Sequence, residues 1–150
     1  ESSLLTFSMS LIDGERSKDS SKMSHVLSFD GTKVTYTLPD YSTCYRGRCE
    51  TQTLEGVLSS VQKKDLLLFM ESNNFLKSIE ENKPLKGPGS YTEVKVQIEK
   101  GKQSFNSYIF ATQRSTANPK DRLSETGKAY RKLVRSLCSK IKTWLEPKNR

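Results

Sequence analysis

Apolar residues recur along this chain at two periods, and the switches between them outline a fold. Near the start, Leu5, Phe7, Met9 and Leu11 alternate with Thr6, Ser8 and Ser10. That is the period of a half-buried strand, and Asp13-Gly14 predicts its end. His25 to Phe29 and Lys33 to Leu38 are β-rich arms around Asp30-Gly31, a strong hairpin signal. Val34, Tyr36 and Leu38 share one face of the second arm. Pro39-Asp40 breaks it, and Cys44 to Thr53 continues as another short hairpin or an extension of the sheet. Farther on, Val94, Val96 and Ile98 alternate with Lys95, Gln97 and Glu99; Lys100-Gly101 turns the chain and Gln103 to Thr112 returns. In the returning arm Phe105, Ser107, Ile109 and Ala111 take one face and Tyr108 and Phe110 the other. Aromatics on both faces predict a central strand, or one whose second face is covered by the N-terminal strand or a partner.

The helical period appears twice. Leu58 to Leu76 predicts a first helix capped by Ser59 or Ser60, with Val61, Leu66, Phe69 and Met70 inward and Leu67 or Leu68 at the edge. Asn73-Asn74 reads as its stop, and Phe75 then turns back toward the core. Residues Glu80 to Ser90, with two prolines and two glycines, read as a connecting loop.

The second helical stretch, Asn118 to Pro147, is the stronger. Counted from Leu123, the residues Tyr130, Val134, Leu137, Ile141 and Trp144 fall at offsets 7, 11, 14, 18 and 21, with Gly127 at 4. Leu133, Cys138 and Leu145 widen this stripe to the breadth of a core-facing side. Asn118 suits the N-cap, Pro119 the first turn, and Pro147 the stop. Asp121 and Glu125 suit the positive end of the helix dipole, Lys140 and Lys142 the negative end. About 26 residues make a rod of about 39 Å, which cannot bury its stripe alone. The predicted architecture is α+β: one domain over the 150 residues, an antiparallel sheet of five or six strands with two helices packed on one face, the long C-terminal helix lying across it.

Charge sharpens the picture of that last helix. From residue 120 onward there are ten Lys or Arg and three Asp or Glu, a net of +7 within a chain total of +8. The basicity therefore belongs to one element. Lys128, Arg131, Lys132, Arg135 and Lys142 take the side opposite the stripe. A solvated helix face accounts for this pattern; a contact stripe for nucleic acid or anionic lipid is the sharper alternative. The mean hydropathy of −0.67 allows one modest core, and no run of 18 apolar residues predicts a membrane span. No signal peptide is visible, but the chain opens at Glu1 rather than Met, as trimming would leave it.

Three cysteines bear on compartment. Cys44 and Cys49 flank Tyr45-Arg46-Gly47-Arg48 between strand-like segments, where facing positions meet disulfide geometry. A structural disulfide there implies export, and the alternative is two free thiols. Four intervening residues do not suit a redox motif, and one cysteine pair with one histidine does not make a metal site. Cys138, on the edge of the stripe, reads as a small buried hydrophobe.

From His25 onward the order hairpin, helix, hairpin, helix resembles a family of small bacterial domains of unknown function, common in exported proteins and lipoproteins. The segments that carry the likeness are the Asp30-Gly31 hairpin, Leu58-Ser59 opening a helix followed by Asn74-Phe75, the Val94–Ile98 hairpin and the basic terminal helix. It covers about 120 residues by pattern. The likeness implies a fold and an exported setting, and it transfers no catalytic residue. The Cys44/Cys49 pair and the N-terminal strand lie outside the shared pattern.

Catalytic signals are sparse. His25 is the single imidazole, on a predicted strand, so any Ser-His-Asp site would have to use it. Glu80-Glu81 reads as solvated, and Gly87-Pro88-Gly89 lacks the strand and the Lys-Ser/Thr of a phosphate loop. No cofactor or metal is expected. The stronger candidates are contact surfaces. Tyr41, Tyr45, Arg46 and Arg48 gather on the loop that Cys44 and Cys49 would staple, and rigid aromatic and arginine groups suit binding. An ordinary polar hairpin tip is the bland reading of the same residues. The second surface is the helix face of Lys128, Arg131, Lys132 and Arg135. The expectation is a non-enzymatic, extracytoplasmic module that binds a protein partner or an anionic envelope surface; the alternative is a basic nucleic-acid-binding protein of the cytoplasm.

Overall fold

The computed structural model describes residues 4–15, 22–45, 49–83, 90–113 and 124–146. The N-terminal alternation forms β1 (Leu5–Glu15), and the sheet extends from both of its edges. On one side follow β2 (Lys22–Phe29), β3 (Lys33–Pro39) and β4 (Thr51–Val57). On the other follow β6 (Ser90–Lys100), β7 (Gln103–Gln113) and the edge strand β5 (Glu80–Lys83). The order is therefore β4-β3-β2-β1-β6-β7-β5. Neighbours are antiparallel except β5, which runs parallel to β7. Two helices complete the chain, α1 (Ser60–Ser72) and α2 (Glu125–Leu145).

This corrects the expected sheet in number and kind: seven strands rather than five or six, and mixed rather than antiparallel. The added strand comes from the stretch read as a loop. Glu80–Lys83 has no apolar alternation and little β preference. Its lead-in is clamped to β7, with Tyr108 N donating to Ile79 O at 2.8 Å, Ile79 N to Ser107 Oγ at 3.0 Å and Asn106 N to Ser78 Oγ at 3.0 Å. The prolines and glycines of that stretch lie outside the described residues. β1 ends at Glu15, one residue past the expected end at Asp13-Gly14. Gly14 sits under the Tyr91 ring, and a Cβ there would approach the ring to 2.7–2.8 Å. The glycine serves close approach, not chain reversal.

One sheet face carries the core. Phe7, Met9, Leu11, Leu27, Val34, Tyr36, Leu38, Val94, Val96, Ile98 and Ile109 are buried there and pack with both helices in one cluster. Tyr108 and Phe110 fall on the other face, and β1, instead of covering them, pairs within the sheet.

α1 opens with a capping box, in which Gln62 N donates to Ser59 Oγ at 3.1 Å and Ser59 N donates to Gln62 Oε1 at 2.9 Å. It ends at Asn73, and Asn74, with φ of 60°, reverses the chain so that Phe75 is buried. The helix thus stops before Leu76. Leu66 and Met70 are buried, but Val61, expected inward, is 76% exposed. Five residues before Leu66, at about 100° per residue, Val61 points about 140° away from the core line.

α2 also begins later than expected. Its N-cap is Ser124, with extended backbone, so the helix has 21 residues and a length of about 31 Å. Asn118, Pro119, Asp121 and Leu123 lie outside the described residues. Glu81 of β5 fixes this start: its carboxylate accepts from Ser124 N at 3.3 Å and from Ser124 Oγ. A carboxylate at a helix N-terminus also meets the positive end of the dipole. Glu81 is thus bonded rather than solvated. Gly127 makes room for it, because a Cβ there would stand 2.9–3.1 Å from the carboxyl group. Beyond Gly127, the stripe of Tyr130, Val134, Leu137, Cys138 and Ile141 is buried as its period predicts. Trp144, Leu133 and Leu145 pack at its margin. Among the described residues no helix is long and apolar enough to cross a membrane.

Candidate functional site

α2 crosses the core face of the sheet over β1, β3 and β4. Odd positions of β1 and β2 face the helices, which brings Asp13 and His25 onto the core side near the end of that face. There the apolar alternation gives way to polar groups. Asp13 accepts from Thr92 Oγ1 at 2.7 Å and from Arg131 NH2 at 2.6 Å, joining β1, β6 and α2. Arg131 is therefore not a free member of the basic face. Its 118-residue separation from Asp13 hid the pairing.

His25 lies beside this pair, half-buried, with Nδ1 2.7 Å from the Tyr36 hydroxyl and its ring stacked on Tyr36 at 6.0 Å. Cys138 lies near enough to Tyr36 to act on its phenol electrostatically. Burial pushes the Tyr36 phenol upward and the Cys138 thiol up to about 11, so both stay protonated at neutral pH. Burial also holds His25 below its ordinary value. The positive charges of Arg135, Arg131 and Lys142 act in the same direction, against the pull of Asp13. Cys138 is buried as expected.

Cys44 and Cys49 form a disulfide. Asp40 shapes the loop ahead of it, accepting from Ser42 N at 3.1 Å and Ser42 Oγ at 2.7 Å around the 3-10 turn Tyr41–Thr43. Cys49 Sγ lies 3.7 Å from Met23 Sδ, which sets the staple against β2. Tyr41 and Tyr45 are 59% and 70% exposed, and Tyr41 is close enough to act electrostatically on the Tyr36 phenol. Arg46 and Arg48 lie outside the described residues.

The basic face of α2 divides into bonded and unbonded cations. Arg131 is held by Asp13, and Lys128 pairs with Glu125 at 3.3 Å in open solvent. Lys140, counted only as a dipole partner, pairs with Asp65 at 3.1 Å and lies over the rings of Phe69 and Trp144, tying α2 to α1. Lys132 and Arg135 have no carboxylate partner among the described residues. Together with Lys128, Arg131, Ser136 and Ser139 they line a shallow groove along the helix. Among the described residues no group of three or more His, Cys, Asp or Glu could hold a metal ion, and no carboxylate is hydrogen-bonded to His25. The groove offers positive charge and hydrogen-bond donation.

No protein-family model matches this sequence, and no curated protein matches it either.

Proposed function

We propose that this chain is an exported bacterial binding module, non-enzymatic, that sets the outer side of α2 against an anionic envelope surface. The observation that carries this reading is the groove of Lys128, Arg131, Lys132 and Arg135 with Ser136 and Ser139, in which two of the four cations, Lys132 and Arg135, have no carboxylate partner among the described residues. Unpaired cations beside hydroxyl donors suit phosphate-bearing surfaces. The disulfide and the resemblance to small exported domains support the compartment. Tyr41 and Tyr45, exposed at the stapled loop, are available as further aromatic contacts.

Co-sedimentation with vesicles tests this reading. Binding to phosphatidylglycerol vesicles and not to phosphatidylcholine vesicles is expected, weakening steeply with salt. Lys128→Gln combined with Lys132→Gln should weaken it about thirtyfold, at about 1 kcal/mol per cation near the surface. Tight binding to duplex DNA without vesicle binding would instead select a nucleic-acid role, with Lys132 and Arg135 on phosphates. An intact mass without reductant that shows both Cys44 and Cys49 free in the native protein would count against export.

A further inference from the structure

We infer that β4 is a pairing edge, through which a second copy of this chain continues the sheet, antiparallel, across a twofold axis at Leu54. Such a seam does not depend on the envelope reading of α2.

Two backbone bonds at the ends of the β3–β4 ladder fix which groups of β4 are left over. Asp40 N donates to Glu50 O at 2.7 Å, and Leu58 N donates to Thr32 O at 3.0 Å. Both pairs keep the register that sets Tyr36 opposite Leu54. In an antiparallel ladder, bonded pairs alternate with unbonded ones. Gln52, Leu54 and Gly56 therefore direct their N–H and C=O groups at β3, and Thr51, Thr53, Glu55 and Val57 direct theirs off the sheet. Pro39 agrees with this parity, since its place opposite Thr51 calls for no donor. Among the described residues no strand lies beyond β4.

The two ends of the sheet differ in protection. β5 closes one end with four residues, of which Glu80, Glu81 and Lys83 are charged. Shortness and charge are how a sheet edge resists pairing. β4 has seven residues, no proline and an unbroken register with β3. Its single charged residue, Glu55, is already met by Lys33 at 2.8 Å.

The free edge is complementary to itself. Laid antiparallel on its own copy over its full length, β4 sets Thr51 opposite Val57, Thr53 opposite Glu55 and Leu54 opposite Leu54. The outward backbone groups then all fall in bonded pairs, and no like charges meet. Leu54 points to the core face with Tyr36 and is only partly buried. Leu145, also partly buried, stands over Gly56, where its Cδ2 would lie 2.9 Å from an added Cβ. The second copy covers this apolar margin. An unrelated extended peptide would have to bring that complement; a second copy already carries it. Opposed residues of a sheet point to one face, so both α2 helices end on the same side and turn two cation grooves toward one surface.

Light scattering across a concentration series reads the seam. The mass should climb from 17.0 kDa toward twice that value as the concentration rises to about 1 mM. Thr53→Pro removes an outward N–H and no bond to β3, so it should keep the circular dichroism spectrum and stay monomeric. Two further variants at this exposed position read the register. Thr53→Glu sets like charges opposite each other on both sides of the axis and should weaken the dimer about tenfold. Thr53→Lys faces Glu55 of the second copy instead and should strengthen the dimer. A chain that stays monomeric to about 1 mM, a dimer that survives Thr53→Pro, or equal effects of the Glu and Lys variants would each overturn the inference. Dimers without vesicle binding would retain the seam and remove the envelope role; vesicle binding by a chain that stays monomeric would do the reverse.

Discussion

α2 turns six buried residues toward the sheet over its 21 positions, whereas α1 turns only two over 13. The longer helix is seated by a continuous stripe; the shorter one is seated by Leu66 and Met70 and is finished at its ends by hydrogen bonds. α1 therefore depends more on local chemistry, with Ser59 and Gln62 at one end and Asn73 and Asn74 at the other. α2 has a local cap as well, Ser124 Oγ accepting from Gly127 N at 3.0 Å, but there the cap residue is itself held by Glu81 of β5. Burial of one continuous face leaves the far side of α2 free to collect cations, whereas the far side of α1 carries exposed Val61 and Leu68.

The largest test of this contrast is Leu137→Ala. Leu137 is fully buried in the middle of the stripe, and its truncation should cost about 2–5 kcal/mol in denaturant unfolding. A cost below about 1 kcal/mol would mean that the stripe does not seat α2. Next comes Ser59→Ala, which removes the hydroxyl of the capping box and should cost about 1 kcal/mol. An unchanged midpoint would show that α1 is held by its two buried residues alone.

A smaller effect, confined to the α2 side, is pH dependence. His25 titrates lower in the folded chain than the ordinary value of about 6.5. On acidification the unfolded chain takes up this proton first, so the contribution is complete above pH 6.5 and is lost as pH falls through the folded value. Unfolding midpoints should decline from pH 7 toward pH 5 in the parent, and His25→Gln should flatten that window. A decline that persists unchanged in His25→Gln would assign it to other groups. The smallest expected effect is Val61→Ser, within about 0.5 kcal/mol at so exposed a site. A loss above about 1 kcal/mol would reveal packing at Val61 and weaken the contrast.

How far each element could be read in advance follows the same division. The α2 stripe was legible from Tyr130 to Ile141 because a rod on a flat support buries every residue on one side. The strand alternations of β1, β3 and β6 were legible for the same reason. Within α1, Leu66 and Met70 were legible, but Val61 was not, since any apolar residue near the stripe looks inward until the axis is placed. β5 gave no apolar signal, because Glu80–Lys83 is held by backbone pairing with β7 rather than by burial. The candidate site was legible only in pieces. Arg135, Tyr41 and the Cys44–Cys49 staple could be named, but the pairing of Arg131 with Asp13 could not. Asp13, Tyr36 and Glu81 carried no signal of their polar roles.

The sequence by itself determined the buried stripe of α2, the inward faces of β1, β3 and β6, the Ser59 cap of α1, and that positive charge concentrates in the last helix. Periodicity and propensity act over a few residues, and they leave their mark in the order of the chain. Only the tertiary structure decided that β1 lies in the middle of the sheet, that Glu81 holds the Ser124 cap of α2, and that His25 meets Tyr36. Those arrangements come from pairings across distant segments, such as Asp13 with Arg131. Their energies depend on geometry in space and leave no period in the sequence.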